Sequence, residues 1–109
     1  MSWVPNLPVS QRATASGDTP VLPAPGPGRQ IIVLRASVHN RGAAVSPLIG
    51  LRAGANPPRW QARLAANGGS ASIDFGPDGW PMALNAPLNV NLGAAGDVDV
   101  NVTAWSVEE

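Results

Sequence analysis

The sequence predicts an all-β fold, an antiparallel sandwich or jelly roll of about seven or eight short strands with an extended Pro-rich N-terminal arm. Glycine and proline together supply 24 of the 109 residues, about twice their usual share of ~12 per cent, and neither is well tolerated inside helices. Short runs in which apolar and polar residues alternate recur along the chain, which is the period of a strand with one buried face. Turn residues separate these runs at intervals of about eight to twelve residues, as in sandwich folds.

Residues 1–28 are interpreted as the arm, and residues 29–109 as the sandwich domain. Six of the twelve prolines lie in the arm, and its last stretch, VLPAPGPG, favours a stiff polyproline-like conformation. Residues 9–16 could add a short edge strand. A disordered tail is the alternative, but the arm carries apolar residues that a spacer would not need, so we expect it to dock on a neighbouring subunit. These predicted anchors are Trp3, Val4, Leu7, Val21 and Leu22.

The first long strand of the domain is predicted over residues 30–39, because QIIVLRASVH is rich in β-branched residues. Arg35, Ser37 and His39 fall on its solvated face. The alternation assigns four residues to the buried face, namely Ile32, Leu34, Ala36 and Val38. A turn at residues 40–42 ends this strand.

Four further strands are predicted at residues 45–53, 59–65, 70–75 and 80–84. Pro47 and Gly50 indicate an edge strand or a bulge in the first of these. The second is also compatible with one or two helical turns. The turn sequences Asn67-Gly68-Gly69 and Gly76-Pro77-Asp78-Gly79 separate the last three strands.

The last two strands show the clearest alternation. Residues 88–92 alternate Leu and Val with Asn, and residues 97–104 alternate Val and Ala with Asp, Asn and Thr. Both patterns predict antiparallel strands with one buried and one solvated face, joined by the small residues 93–96. Trp105 falls on the polar face, so we expect the end of that face to be covered.

The net charge is zero, but its distribution is uneven. All seven arginines precede residue 65 with Asp18 as the only acid among them, and the remaining six acids follow. The favoured interpretation is that interleaved strands mix both signs into ordinary surface charge; the alternative is that one surface attracts a neighbouring copy. No basic excess points to nucleic acid, and the longest purely apolar run, residues 31–34, is far short of the ~20 residues of a membrane span.

Few side chains could carry chemistry, and we predict neither an enzyme nor a cofactor. The chain has one histidine and no cysteine, which leaves no thiolate metal site. Ser37, His39 and Asp74 compose a triad only on paper, without a nucleophile-elbow pattern. The carboxylates of Asp97 and Asp99 offer oxygens to a hard cation, but they lack the spacing of a calcium loop, so a solvated face is favoured.

Tryptophan is the most informative residue type, since the four tryptophans and Phe75 supply bulk that an alanine-rich core lacks. An exposed tryptophan would serve as a sugar-binding platform, while burial against a turn or a neighbouring subunit is commoner. We therefore predict that the four tryptophans take part in interactions, as the apolar anchors of the arm do. These residues are Trp3, Trp60, Trp80 and Trp105.

The order of strands and turns after the arm matches a known group of proteins. A long strand follows Gly28, the turn sequences Asn67-Gly68-Gly69 and Phe75-Gly76-Pro77-Asp78-Gly79-Trp80 come next, and the segments APLNVNL and AGDVDVNVTAW close the pattern. Residues 28–107 thereby resemble small virion proteins of tailed bacteriophages, some of which are capsid decoration, or cement, proteins with sandwich or jelly-roll folds. The resemblance contributes no catalytic residues, and the Pro-rich stretch lies outside it.

The resemblance implies a structural protein of the virion that binds the outer capsid surface, with the major capsid protein as its partner. It also implies a homo-oligomer, with a trimer favoured, that is present in the host cytoplasm during assembly and on the capsid afterwards. Many modest, identical contacts on a symmetric shell would suffice for such binding. The alternative is a tail, head-fibre or receptor-binding component whose tryptophans contact host glycans.

Overall fold

The computed structural model describes residues 2–5 and 9–108, with side chains over residues 9–106. This part of the chain contains ten β-strands and no helix, so none of its segments is a helix long and apolar enough to cross a membrane. The strands are β1 (Ser2–Pro5), β2 (Val9–Ala13), β3 (Gly17–Leu22), β4 (Arg29–Asn40), β5 (Ile49–Ala53), β6 (Trp60–Ala62), β7 (Ser70–Asp74), β8 (Trp80–Pro81), β9 (Leu88–Leu92) and β10 (Val98–Glu108).

The strands form two antiparallel sheets. In the six-stranded sheet, β1 and β2 both pair with β10, β10 pairs with β4, and β4 pairs with both β7 and β8. The four-stranded sheet has the order β3-β9-β5-β6. The chain alternates between the sheets from β2 to β5, and again from β6 through β7 and β9 to β10. With the short strands β1 and β8 set aside, these eight strands have the order of a jelly roll. The predicted all-β sandwich is confirmed.

The core lies between the two sheets and is made of aliphatic side chains. The predicted alternation of the last strand is confirmed, because Val98, Val100 and Val102 are buried while Asp99 and Trp105 lie on the other face. In the four-stranded sheet, β5 and β9 supply most of the buried residues. These are Ile49, Leu51, Ala53, Leu88, Val90 and Leu92. No aromatic side chain that the structure describes is fully buried; Trp60, Phe75 and Trp80 pack at the margin of the core instead.

The part of residues 1–28 that the structure describes lies on the sandwich. β1 and β2 extend along β10, and β3 is an edge strand of the four-stranded sheet. Pro20 is compatible with that position because an edge strand needs no hydrogen bond from every amide. Val21 and Leu22 belong to the core. The division of the chain into an arm over residues 1–28 and a domain over residues 29–109 stays a prediction.

The long strand β4 contains a β-bulge that changes which of its residues face inward. Thr103 pairs with Arg35 and Ala104 with Val33, so Leu34 is an extra residue in the ladder. Before the bulge the buried residues are therefore Ile31 and Val33, not Ile32 and Leu34 as the alternation predicted. The assignment of Ala36 and Val38 to the core is confirmed. A single inserted residue reverses the two faces of a strand.

Five strands are shorter than predicted, and two of them, predicted over residues 9–16 and 70–75, end at Ala13 and Asp74. The strand predicted from residue 45 begins at Ile49, the one predicted over residues 59–65 covers only Trp60–Ala62, and the one predicted over residues 80–84 stops at Pro81. The alternative of helical turns at residues 59–65 is wrong. Beyond β6, two hydrogen bonds still hold the chain to Ser46. Ser46 N donates to Leu64 O at 2.9 Å, and Leu64 N donates to Ser46 Oγ at 2.8 Å.

Candidate functional site

The three residues considered as a catalytic triad, Ser37, His39 and Asp74, do not come together in the structure. Ser37 and His39 share the outer face of β4, as predicted, but His39 is opposite Ser70 whereas Asp74 is opposite Arg35. Asp74 lies four residues along β7 from Ser70, a distance of about 13 Å at ~3.3 Å per residue. A hydrogen-bonded relay from a serine through His39 to Asp74 is therefore geometrically excluded in this fold.

The two acids considered as cation ligands are engaged by arginines. Arg12 holds Asp97 with two parallel hydrogen bonds of 2.8 Å each, from Nε to Oδ1 and from Nη2 to Oδ2. Arg41 Nη1 lies 3.3 Å from Asp99 Oδ2. The Arg12 guanidinium holds the pKa of the Asp97 carboxyl below its usual range. Within the described residues no group of three or more His, Asp or Glu side chains is placed to hold a metal ion.

A third ion pair crosses the outer face of the four-stranded sheet. Arg52 on β5 reaches over β9 to Asp18 on β3, with Nη2 and Nε 2.6 and 2.9 Å from the two carboxylate oxygens. Asn91 Nδ2 also donates to Asp18 Oδ1 at 2.9 Å. These hydrogen bonds, that of Arg52 first, lower the pKa of Asp18. The pairs that Asp97 and Asp99 form with arginines join the basic first part of the chain to its acidic second part, as the favoured interpretation of the charge distribution predicted. The third pair lies within the first part.

The remaining charges gather on one side of the molecule. Arg29 aside, five charged side chains in the described part have no ion pair: Arg35, Arg59, Arg63, Asp74 and Asp78. All of them lie on β7, on the chain flanking β6 and β7, or opposite β7 on β4. The unpaired charges therefore lie on the side of the molecule where β6 and β7 are the last strands of their sheets.

We call this side the open edge and define it by β6, β7, β8 and the residues that flank them. At the opposite edge β2 and β3 are in contact, so the other two end strands, β6 and β7, lie on the same side of the sandwich. Their inward side chains are only half buried, although they pack against the core. These residues are Trp60, Ala62, Ala71, Ile73, Phe75 and Trp80.

One end of the open edge is aromatic. The rings of Phe75 and Trp80 are 5.5 Å apart between centroids and inclined at 44°, a favourable tilted geometry. The guanidinium carbon of Arg59 lies 5.7 Å from the centroid of Phe75, within the range of a cation–π contact. With Trp60, three of the five aromatic residues of the chain thus lie at this edge.

A tight turn between β7 and β8 positions these rings. Gly79 N donates to Gly76 O at 3.1 Å, and Asp74 Oδ1 accepts from Gly76 N at 2.9 Å. Gly79 has a φ of +71°, and a Cβ there would lie 2.7 Å from Ile32 Cγ2 and 2.9 Å from Val33 O. Only glycine fits this position without strain.

A second surface lies on the outer face of the six-stranded sheet. Trp105 and Ile32 are opposite each other on β10 and β4, and with Leu34, Pro77 and Asp78 they line an open hollow of about 640 Å³. The bulge creates it, because it leaves Ile32 and Leu34 outside the core. Trp105 is half buried, in agreement with the expectation that the end of this face is covered.

The structure separates the predicted interaction residues into three places. Trp60 and Trp80 lie at the open edge, Trp105 lies in the hollow, and Val21 and Leu22 are 6 and 8 per cent exposed in the chain's own core. Those two are therefore not available to a neighbour in this fold. Leu7 lies outside the described residues, and so do the side chains of Trp3 and Val4, whose backbone is in β1.

Sequence reasoning missed two residues of the open edge. Phe75 was assigned to core volume and Ile73 to no role, yet both are half buried there. Strand length does not identify them, because the edge strand β7 is five residues long, as are the central strands β5 and β9. The sequence also does not say which two edge strands lie on the same side.

Comparison with known proteins adds little to this picture. No family model matches the chain, and no curated protein matches it. Among solved structures, the chain is similar to the cryo-EM structure of the virus-like particle of the giant freshwater prawn Macrobrachium rosenbergii extra small virus, with a TM-score of 0.47 and 12% identity over 99% of this chain and 77% of that chain. A similarity at this level carries no functional argument, and the jelly roll is assigned from the strand order.

Proposed function

We propose that this chain is a non-enzymatic structural protein of a tailed-phage virion, a decoration or cement protein that binds the outer capsid surface as a homo-oligomer and stabilises the shell. The observation that carries the proposal is the open edge, where half-buried aromatic side chains and unpaired charges adjoin two free strand edges. Partly exposed aromatic residues are enriched at protein–protein interfaces, and free strand edges are a template for pairing with another chain.

The type of interaction is inferred from the sequence and the fold together. The resemblance of residues 28–107 to small phage virion proteins supports a place in the virion. Jelly rolls recur in viral capsid and lectin domains, which is an argument by analogy of fold. A decoration protein needs only modest contacts per copy, because repetition on a symmetric shell multiplies them.

Adding the purified protein back to capsids that lack it tests the proposal. We expect saturable co-sedimentation and a higher melting temperature of the shell, as for any ligand that binds only the assembled state. Trp60→Ala at the open edge should weaken binding, because it weakens the homo-oligomer whose repeated contacts give avidity on the shell, whereas the matched variant Trp105→Ala should not. Lack of binding by a folded protein, together with its location elsewhere in the virion, would overturn the decoration role.

A second function, a receptor-binding part of a tail or head fibre, is favoured by the hollow at Trp105. An indole beside the carboxylate of Asp78 offers a sugar both a stacking surface and a hydrogen-bond acceptor. If this function is the correct one, glycan-array binding should be lost in Trp105→Ala and kept in Trp60→Ala. Absence of any glycan binding by the wild type would leave the decoration role as the better proposal.

A further inference from the structure

We propose that the open edge binds a second copy of this chain, with the β6 side of one copy against the β7 side of the next. The inference deepens the proposed function, since it names the surface through which the homo-oligomer forms. It does not depend on which shell that oligomer binds.

The charges of the open edge are arranged for self-association. Arg35, which lies opposite Asp74 on β4, is one of the five unpaired charges. The other four belong to two groups: the four-stranded sheet contributes two exposed arginines next to β6, Arg59 and Arg63, and the six-stranded sheet contributes two exposed acids, Asp74 and Asp78. None of the four has an ion pair within the described residues. We call the first two the basic side and the last two the acidic side of the edge.

Among its described residues the edge carries unpaired charges of both signs, three arginines and two acids, which argues for a copy of the same chain as the occupant. A strongly acidic or strongly basic partner would be repelled by one part of the edge, because like charges brought together at an interface are costly. A second copy presents an acidic side to the basic side and the reverse. The long side chain of Arg59 places its guanidinium over the ring of Phe75. It already shields an apolar surface there, and a neighbouring chain would cover that surface further.

The backbone supports the same conclusion. Within the described part of the chain, β6 and β7 are each paired along one side only, and the other side presents free N–H and C=O groups. Natural proteins protect such edges with lysine, proline or an inward-pointing charge. β7 has the sequence SASID, with no lysine and no proline, and its inward residues Ala71 and Ile73 are apolar. β6 is protected by its length of only three residues, so the unprotected part of the edge is β7. A strand edge without these devices is typical of an interface.

The positions of β6 and β7 define the direction of the symmetry axis that this inference requires. A rotation axis that runs parallel to the strands, beside the open edge, brings the β7 side of each copy against the β6 side of its neighbour. Such an arrangement closes with two or three copies and leaves no open end. The inference therefore predicts a closed dimer or trimer, and a trimer agrees with the oligomer expected from the resemblance.

Charge reversal tests the pairing of the two sides. The mass in solution is measured by size-exclusion chromatography with light scattering and by sedimentation, over a range of protein and salt concentration. We expect a dimer or trimer that weakens with salt. Arg59→Glu with Arg63→Glu should weaken association about tenfold or more, and Asp74→Lys with Asp78→Lys should do the same. The chain that carries all four substitutions should associate like the wild type, since its sides are again complementary.

Two controls make the result specific. Ala15→Asp with Ser16→Asp adds negative charge at exposed positions of the β2–β3 turn, at the opposite edge, and should leave association unchanged. Thermal melting followed by tryptophan fluorescence reports whether each variant is folded. The fourfold variant contains every substitution of the two double variants, so restored association also shows that none of them prevents folding.

Three results would overturn the inference: a monomeric wild type at every concentration, double variants that associate as tightly as the wild type, or a folded fourfold variant that stays monomeric. Capsid add-back then separates this inference from the proposed function. A monomer that binds capsids contradicts only the inference, whereas an oligomer that ignores capsids contradicts only the decoration role.

Discussion

Both edges of this sandwich consist of short strands, yet only one of them is closed by the chain itself. At the edge formed by β2 and β3, Val21 and Leu22 are buried, Arg12 pairs with Asp97, and Asp18 is tied across the sheet to Arg52. At the open edge the inward residues stay half buried and the charges of the described side chains unpaired.

The difference shows how a small domain divides its apolar surface. A jelly roll of this size has few large side chains to bury, and here the aliphatic ones fill the centre and the closed edge. The aromatic residues are placed where their burial is incomplete. Because burial of apolar area is the main source of stabilisation, the open edge can gain further stability only from a neighbouring molecule.

The largest expected effect comes from truncating one aliphatic residue at each edge. Leu22→Ala removes a side chain that is 8 per cent exposed and should lower the free energy of unfolding by about 2–5 kcal/mol. Ile73→Ala removes one that is only half buried and should cost the isolated chain only about 1–2 kcal/mol. Urea unfolding at low protein concentration measures both, and equal losses would contradict the distinction between the edges.

Two glycines with positive φ provide a second, matched comparison. Gly17, the first residue of β3, has φ +89° and open space around it, whereas Gly79 has φ +71° and close neighbours. The backbone conformation should destabilise both alanine variants by about 1–2 kcal/mol, and Gly79→Ala should lose roughly 1–3 kcal/mol more through overpacking. Melting temperatures compare them. If Gly17→Ala proves the more destabilised, the turn at the open edge is less tightly packed than described.

The ion pairs near the closed edge predict a pH dependence. The pKa values of Asp18 and Asp97 are lowered in the folded chain, so the unfolded chain binds more protons as the pH falls below about 4. The stabilisation is present above the unfolded pKa and is lost as the pH falls through the lower, folded pKa values. Urea unfolding from pH 7 to about pH 2.5 measures this loss, and Asp18→Asn should make the profile flatter. An unchanged profile would show that the pair adds no stability.

The smallest effect is expected from neutralising single acids at the two edges. Asp18→Asn breaks an ion pair on the surface and should cost about 1 kcal/mol or less. Asp78→Asn breaks none and should leave the isolated chain within about 0.5 kcal/mol of the wild type. The same unfolding measurements at pH 7 distinguish them, and a larger loss for Asp78→Asn would mean that the acidic side has an intramolecular role.

The fold class and most strands could be predicted from the sequence because alternation and turn residues are local properties. The faces of β4 could not, since nothing local shows that Leu34 is an extra residue opposite Thr103. The burial of Val21 and Leu22 could not be predicted for a related reason. A Pro-rich context is typical of an arm, and only the pairing of β3 with β9 shows that these side chains enter the core.

The candidate site was predictable in part. Trp60 and Trp80 were expected at an interaction surface, and both do lie at the open edge, but their contact with a partner stays a prediction. The companions Phe75 and Ile73 could not be identified, because the open edge exists only once β6 and β7 are known to end the two sheets on the same side. Which edge is closed depends on pairs distant in sequence, such as Arg12 with Asp97.

The central position of β10 in the six-stranded sheet has a consequence for how the protein is made. β10 lies between β4 on one side and β1 and β2 on the other, so β1 and β2 have no strand to pair with, and β4 has only β7 and β8, until residues 98–108 are synthesised. Pairings this distant in sequence form slowly, because the loop entropy is lost before the contacts are gained. We expect the nascent chain to remain unfolded on the ribosome until β10 emerges, and a truncation before residue 98 to leave a chain that aggregates.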